Sequence, residues 1–142
     1  SYASQSGWRV KPDTIRCLTN PVIESAVVTD YEKKAKIPVY AREVLSEDAV
    51  SMDEYDVYLS GAKALLTLEN PKNPDGGELV LFRDSFGSSI APLLLKGYSK
   101  ITMIDLRYVV MEYAARMVEL PEQCDVLFLY NTQILNHSDS LR

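Results

Sequence analysis

The sequence is poor in the residues that metal and histidine-based sites use. Its 142 residues contain one histidine, His137, and two cysteines, Cys17 and Cys124. The cysteines lie far apart, which does not match the spacing of a metal-ligand pair. The sequence therefore predicts neither a structural zinc site nor a bound cofactor. Cys124 directly precedes a predicted strand and is expected to be a buried, inert thiol. The alternative, a disulfide between Cys17 and Cys124, is also compatible with the sequence.

Long apolar runs and an excess of positive charge are also missing. No run approaches the roughly 20 apolar residues of a membrane-spanning helix. The chain has 15 basic and 20 acidic residues and a formal net charge of −5. It therefore lacks the positive electrostatic field of a general nucleic-acid or anionic-membrane binder. No glycine-rich phosphate loop follows a predicted strand, which argues against a nucleotide binder. Hydrophobic residues make up 46% of the chain, which is enough for a core. We therefore predict a single domain over residues 1–142.

The second half of the chain alternates between strand and helix patterns. Short apolar runs predict strands at 78–83, 100–105 and 125–130, and amphipathic segments predict helices at 87–97 and 109–118. Strands joined through helices imply right-handed crossovers and a parallel sheet. We therefore predict a three-layer α/β domain with a mainly parallel, doubly wound sheet.

The first half of the chain is less regular. Residues 1–22 contain three glycine or proline positions and are predicted to form an irregular N-terminal arm. Segment 70–77 holds two prolines and two glycines and is the clearest loop. Between them, apolar runs and one capping-box spacing predict strands at 23–29, 37–40 and 64–68 and a helix at 52–60.

The most informative segment runs from Leu79 to Gly87. An apolar strand ends there at Arg83-Asp84-Ser85, and an amphipathic run follows. Ser85 is thus expected at the carboxyl end of a strand, beside the free N–H groups and positive dipole end of a helix, which suits a nucleophile. Asp and Ser are also favoured helix caps with no chemical duty. The residues alone leave both interpretations open, and Asp84 is expected to cap the helix or order the loop.

Polar residues follow all three late strands. Asp84 and Ser85 follow the first, Asp105 and Arg107 the second, and Asn131 the third. In doubly wound sheets ligands collect at the carboxyl ends of the strands, so these residues are expected to converge on one edge. Arg107 has two interpretations: it binds a carboxylate or sugar substituent of a ligand, or it forms a local ion pair with Asp105. Asn131 suits a hydrogen-bond donor or a residue that stabilises the turn.

Two other features have alternative interpretations. Five tyrosines suit either a carbohydrate-stacking face or burial in the core: Tyr55, Tyr58, Tyr108, Tyr113 and Tyr130. The spacing of Tyr55 and Tyr58 favours burial in the core. Six residues separate His137 from the last predicted strand, and it lies in a polar tail. We expect it to be exposed and without a role in chemistry.

Four blocks of the sequence resemble the carboxyl-terminal half of the bacterial DHHW family, which is similar to the SGNH-like alginate O-acetyltransferases. Three of them are Phe82-Arg83-Asp84-Ser85-Phe86-Gly87-Ser88-Ser89, Ile101-Thr102-Met103-Ile104-Asp105-Leu106-Arg107-Tyr108 and Asp125-Val126-Leu127-Phe128-Leu129-Tyr130-Asn131. The fourth, Ser1 to Gly7 with Lys11 to Ile15, resembles the stretch that follows the DHHW motif. The DHHW block itself is absent, so we expect a partial domain of the flavodoxin-like or SGNH type.

The resemblance implies an esterase or O-acyltransferase that acts on a cell-surface carbohydrate. Ser85 would be the nucleophile, Asn131 would stand where SGNH enzymes carry an amide donor for the oxyanion, and Asp84, Asp105 and Arg107 are candidate substrate-binding residues. The family's aspartate and histidine belong to the missing block, and without a base a serine hydroxyl is almost inert at neutral pH. The glycine donor of the SGNH pattern is also absent after the second late strand.

By the same resemblance, the parent protein would be extracytoplasmic, exported to the cell envelope of a bacterium or anchored in its membrane. The alternative function is a non-catalytic α/β domain that uses its strand-end cleft to bind a carbohydrate or a protein partner. Nucleic acid is not an expected partner under either interpretation.

Overall fold

The computed structural model describes residues 14–46 and 53–141. Within them, six strands form one open sheet in the order β2-β1-β3-β5-β4-β6. The strands are β1 (Val27–Asp30), β2 (Ala35–Ile37), β3 (Leu65–Glu69), β4 (Glu78–Arg83), β5 (Lys100–Ile104) and β6 (Asp125–Leu129). The α-helices are α1 (Pro21–Ser25), α2 (Phe86–Leu94), α3 (Met111–Met117) and α4 (Thr132–Asn136). Short 3-10 helices span Arg42–Leu45, Glu54–Val57, Leu95–Gly97 and Ser138–Ser140.

The parallel part of the sheet comes from the second half of the chain. Strand β4 pairs in parallel with both β5 and β6, so that Val80 lies opposite Thr102 on one side and Val126 on the other. Strand β3 pairs antiparallel with β5, and β1 pairs antiparallel with both β3 and β2. This arrangement confirms the predicted α/β class, with a mixed sheet that is parallel where the β-α-β pattern predicted it.

Apolar side chains are buried on both faces of the sheet. Because side chains alternate along a strand, Leu81 of β4 packs in one cluster with Ala91 of α2, whereas Val80 packs in the other with Ala114 and Val118 from the α3 region. Helices therefore cover both faces, which is the three-layer arrangement that the sequence predicted.

The N-terminal half departs from prediction at the start of β1. The predicted strand at 23–29 splits into α1 and β1. The side chain of Asn20 accepts hydrogen bonds from the N–H groups of Val22 and Ile23 at 2.9 and 3.0 Å, and Pro21 occupies the first helical position. Both features start a helix, so the irregular stretch ends before residue 22. The first 13 residues of the predicted arm lie outside the described residues.

The predicted helix at 52–60 is wrong. The described part of this segment contains one 3-10 turn, Glu54–Val57, capped by Asp53. Leu59, Ser60 and Gly61 follow with φ of +53°, +57° and +86°, and a right-handed helix cannot continue through left-handed residues. Ser51, the first residue of the capping-box spacing from which this helix was predicted, lies outside the described residues.

The other predicted elements agree with the structure to within a few residues. Strand 78–83 is confirmed, and residues 70–77 form the loop between β3 and β4. The predicted strand at 37–40 is an exception: it shares only Ile37 with β2 (Ala35–Ile37), which ends there because Pro38 has no N–H for the sheet. Cys17 and Cys124 are both free and half-buried. Within the described ranges, no helix has the length and apolar character needed to cross a membrane.

Leu81 tests the central position of β4 in the core. Its side chain is completely buried, so Leu81→Ala leaves a cavity and is expected to lower the free energy of unfolding by about 2–5 kcal/mol. Urea denaturation followed by circular dichroism measures the change. Leu93→Ala is the control, because Leu93 of α2 is 43% exposed and its truncation should cost less than about 1 kcal/mol. Equal losses in the two variants would contradict this packing.

Candidate active site

The ends of three neighbouring parallel strands bring the predicted site residues together. Strands β5, β4 and β6 lie side by side. Their carboxyl ends lead into Asp105, into Asp84 and Ser85, and into Tyr130 and Asn131, respectively. The structure therefore places these polar residues together where the carboxyl ends of the three strands meet, as the topology predicted. This end of the sheet is called the polar edge.

Arg83 is the buried centre of this edge. Its side chain is 1% exposed, and its guanidinium donates to the carbonyl oxygens of Lys63 at 2.9 Å and Asp84 at 3.3 Å. The same group lies 3.8 Å from the carboxylate of Asp105. Burial lowers the pKa of Arg83 and the charge of Asp105 opposes that shift. Sequence reasoning missed this residue, although an arginine that closes an apolar strand was a signal that could have found it.

Gly87 gives the stem of Arg83 the space that it needs. A Cβ atom on Gly87 would lie 2.6 Å from Cβ and 2.9 Å from Cγ of Arg83, closer than carbon atoms can approach. Only glycine therefore lets the first turn of α2 lie over the end of β4.

Asp84 connects α2 to the loop after β6. It is completely buried, and its Oδ1 accepts from the N–H of Phe86 at 2.9 Å. Its Oδ2 accepts from the backbone N–H and the side-chain amide of Asn131 at 2.6 and 2.7 Å. These contacts match the predicted loop-ordering role. The direct substrate contact of Asp84 stays a prediction.

The hydroxyl of Ser85 does not cap the helix. Ser85 is exposed and has φ −58° and ψ −29° at the N-cap position of α2, with no hydrogen bond from its side chain to the helix. The carboxylate of Asp84 binds the first turn of α2 instead. The Ser85 hydroxyl therefore stands at the positive end of a helix without a capping contact.

Ser85 opens onto a cleft of about 250 Å³. The other side of the cleft comes from segment 53–62, and the lining residues are Asp53, Tyr55, Asp56, Tyr58, Gly61, Ala62, Ser85, Phe86 and Ser88. The hydroxyl of Tyr55 donates to Ser89 Oγ of α2 at 2.8 Å, which fixes segment 53–62 against the helix. Sequence reasoning missed this wall, because the segment was predicted to be a helix.

The five tyrosines divide between the two predicted environments. Tyr58 is buried, and its ring centroid lies 5.0 Å from that of the half-buried Tyr55. Tyr108 and Tyr113 are each more than half exposed. The Tyr130 hydroxyl is buried without a hydrogen-bond partner in the described part of the chain, and burial, followed by the charge of Asp105, raises the pKa of Tyr130.

Arg107 and Asp105 form the local ion pair that was one of the two predicted possibilities. The guanidinium of Arg107 donates to Asp105 Oδ1 at 2.9 Å and to Oδ2 at 2.6 Å. The hydrogen bond to Asp105 raises the pKa of Arg107. Asp105 is completely buried, whereas Arg107 is partly exposed. Their contact with substrate stays a prediction, and of the two only Arg107 reaches solvent.

Asn131 makes the contacts of a turn residue and retains a donor. Its Oδ1 caps α4 by accepting from Gln133 and Ile134 at 2.8 and 3.0 Å. Its Nδ2 donates to Asp84, and a side-chain amide has a second N–H.

His137 is exposed, and its Nδ1 lies 3.0 Å from the carbonyl oxygen of Gln133. No hydrogen bond joins His137 to Ser85 among the described residues.

No cluster of metal-ligating side chains adds to this edge in the described ranges. Residues 14–46 and 53–141 contain no group of three or more His, Cys, Asp or Glu side chains placed to hold a metal ion.

Comparison with solved structures gives the same fold. The chain is similar to a DHHW family protein from Eubacterium siraeum DSM 15702, with 18% identity and a TM-score of 0.51, over 74% of this chain and 34% of that one. It is also similar to Bacillus cereus PatB1 with a sulfonyl adduct, with 19% identity and a TM-score of 0.54, over 78% of this chain and 38% of that one. A second PatB1 structure gives 18% identity and a TM-score of 0.52 over 78% and 36%.

These identities establish a shared fold alone. The chain spans little more than a third of the length of each structural neighbour. No protein-family model matches the sequence, and no curated protein matches it either. The resemblance seen in the sequence thus has a DHHW family protein among its structural counterparts.

Asp105 tests the buried charge network. Asp105→Leu removes the nearest counter-charge of the buried Arg83 and is expected to lower the free energy of unfolding by about 3–5 kcal/mol. The double variant Arg83→Met, Asp105→Leu removes both charges and should be more stable than the single variant. Urea unfolding of the three proteins measures both steps. A double variant that is less stable than Asp105→Leu would show that Arg83 is not stabilised chiefly by Asp105.

Ser85 and Asp84 can be separated by stability. Because the Ser85 hydroxyl makes no capping contact, Ser85→Ala should change the free energy of unfolding by less than about 0.5 kcal/mol. Asp84→Ala leaves the N–H groups of Phe86 and Asn131 without acceptors and is expected to cost about 2–4 kcal/mol. Thermal and urea unfolding check the difference. A loss of about 1 kcal/mol or more in Ser85→Ala would restore the capping interpretation of that residue.

Proposed function

We propose that this chain is the serine-bearing part of an SGNH-like esterase or O-acyltransferase that acts on a cell-surface carbohydrate outside the cytoplasm. Ser85 is the nucleophile and Asn131 contributes an amide donor for the oxyanion. The aspartate and histidine that activate the serine come from polypeptide outside the chain. Arg107 binds the substrate, and the buried Asp84 and Asp105 position Ser85, Asn131 and Arg107.

The strongest support is the environment of Ser85. Ser85 is exposed at a strand-to-helix turn, its hydroxyl makes no capping contact, and the residue lines a cleft of about 250 Å³. Such turns place a nucleophile beside backbone N–H groups that stabilise a developing oxyanion. Asp84 binds both the turn that carries Ser85 and the side chain of Asn131, which keeps the two proposed catalytic groups in a fixed relation.

The comparisons add chemical context. PatB1 carries a sulfonyl adduct in one of its structures, and a sulfonyl reagent forms an adduct by reaction with a nucleophilic side chain. By analogy, Ser85 is the residue of this chain expected to react with a sulfonyl fluoride once a base is present.

The reaction follows acyl transfer in two steps. The base removes the proton from Ser85 Oγ as the oxygen attacks the ester carbonyl, and the tetrahedral oxyanion is stabilised by N–H donors. Collapse expels the alcohol, which takes the proton from the conjugate acid of the base, and leaves an acyl-serine. Water or a carbohydrate hydroxyl then attacks that ester and releases the acid or the acylated sugar.

The test is turnover of p-nitrophenyl acetate by the full-length product of the gene that contains this chain. Ser85→Ala is expected to lower kcat/KM by at least about a thousandfold. The same substitution should abolish labelling by phenylmethylsulfonyl fluoride, measured as intact mass.

His137→Ala serves as the control and should leave turnover unchanged, because His137 contacts its own helix. Turnover that survives in Ser85→Ala would reject Ser85 as the nucleophile. If a panel of acylated glycans also gives no serine-dependent turnover, the protein is better described by the alternative, a non-catalytic carbohydrate- or protein-binding domain.

A further inference from the structure

The cleft beside Ser85 has an aromatic wall to which the proposed chemistry assigns no role. Phe86 follows Ser85 directly at the start of α2, lines the cleft and is 52% exposed. Tyr55 and Tyr58 line the cleft from segment 53–62. Binding sites for small ligands are concave and lined mainly by apolar and aromatic side chains, with a few polar groups that orient the ligand. The cleft has this composition.

The aromatic wall is held in place by contacts within the protein. The Tyr55 hydroxyl donates to Ser89 Oγ at 2.8 Å, and the Tyr58 hydroxyl donates to the carbonyl oxygen of Arg16 at 2.9 Å. Phe86 and Ser89 are three positions apart on α2, so they lie on the same side of the helix. The contact from Tyr55 therefore reaches α2 on the side that carries Phe86. A wall fixed in this way loses little conformational entropy when a ligand binds.

The polar groups of the cleft indicate the class of ligand. Asp53 and Asp56 line it together with Ser85 and Ser88. A carboxylate accepts hydrogen bonds at several lone pairs and donates none, so its matching groups in a ligand are hydroxyls. An alkyl chain in the cleft would remove water from the carboxylates and return no hydrogen bond, which costs free energy. A sugar acid would bring another carboxylate close to them, and like charges repel.

The size of the cleft limits how much of a ligand enters it. Pockets for drug-sized molecules have volumes of about 300–1,000 Å³, and this cleft has about 250 Å³. We therefore expect a single monosaccharide unit to enter, while the rest of a glycan lies outside. An acetyl group alone would leave most of the cleft unfilled.

We propose that this cleft is a saccharide subsite that binds one neutral pyranose ring, with Phe86 as the platform on which the ring stacks. The apolar C–H face of the ring packs on Phe86, and its hydroxyl groups donate to Asp53 and Asp56. Because Phe86 adjoins Ser85 in the chain, the bound ring lies beside the proposed nucleophile. Phe86 is thus a specificity-determining residue, an inference that rests on the proposed function for the role of Ser85.

Binding of uncharged oligosaccharides to the full-length product of the gene tests the subsite without turnover. The probes are cellotetraose, xylotetraose, mannotetraose and N-acetylchitotetraose, with tetragalacturonate as the acidic probe, and isothermal titration calorimetry measures Kd. At least one neutral probe should bind, and Phe86→Ala should raise its Kd at least about tenfold because the platform is lost. Tetragalacturonate should bind at least about tenfold more weakly than that probe.

Two further variants control for structural damage. Phe86→Tyr keeps an aromatic ring at the position and should hold Kd within about threefold of the parent value. Tyr113→Ala removes an aromatic ring of similar exposure, 54%, from α3 outside the cleft, and it should leave Kd unchanged. Urea unfolding of each variant shows whether the fold is retained.

Three results would overturn the proposal. One is that no neutral probe binds with a Kd that depends on Phe86. Another is that tetragalacturonate binds at least as tightly as every neutral probe, which would assign the cleft to acidic sugars. The third is that Phe86→Ala changes the ratio of kcat/KM for p-nitrophenyl hexanoate and p-nitrophenyl acetate but not the Kd of the neutral probes, which would make the cleft an acyl pocket.

The Ser85→Ala comparison on the same samples separates this proposal from the proposed function. Phe86-dependent binding without Ser85-dependent turnover would support the saccharide subsite and reject the enzyme. Ser85-dependent turnover without Phe86-dependent binding would support the enzyme and reject the subsite.

Discussion

The buried guanidinium of Arg83 makes the contacts on which the polar edge of the sheet depends. A charge removed from water must be compensated by partners, and Arg83 finds them on the segment before β3, at the end of β4 and after β5. It thereby fixes the relative positions of these segments. Gly87 is required because of this side chain, and Asp105, held by Arg83, in turn holds Arg107. The exposed hydroxyl of Ser85 is presented by a turn whose geometry follows from these contacts.

Much of the fold follows from local patterns in the sequence. The alternation of short apolar runs and amphipathic segments after residue 77 predicted β4, α2, β5, α3 and β6 and the parallel part of the sheet. The first half was harder because its outcome depends on single residues. Asn20 and Pro21 convert the start of an apolar run into α1, and the left-handed backbone after Tyr58 ends a helix pattern after one turn. Hydrophobic periodicity reports neither a local cap of this kind nor a left-handed turn, so it does not predict where these elements begin and end.

The location of the candidate site was predictable from the sequence, and its hydrogen bonds were less so. The carboxyl ends of parallel strands meet by topology, so the sequence pattern alone was enough to predict Ser85, Asp105 and Asn131 on one edge. Which carboxylate binds which donor depends on burial. The sequence did not distinguish the capping role of Asp84 from that of Ser85, and it did not indicate that Tyr55 and Tyr58 line the cleft beside the serine. Arg83 has one local signal, an arginine that closes an apolar strand, but its partners Lys63 and Asp105 are set by long-range packing that a single sequence does not show.

The burial of Arg83 also bears on how the molecule folds. Its partners lie on both sides of it in sequence, Lys63 twenty positions before and Asp105 beyond α2. A partly assembled sheet leaves the guanidinium hydrated, since dehydration without these partners costs several kcal/mol. The polar edge therefore requires β3, β5 and β4, which lie side by side in that order, to be assembled. Nascent or partly unfolded chains therefore lack the fixed geometry of the turn that carries Ser85.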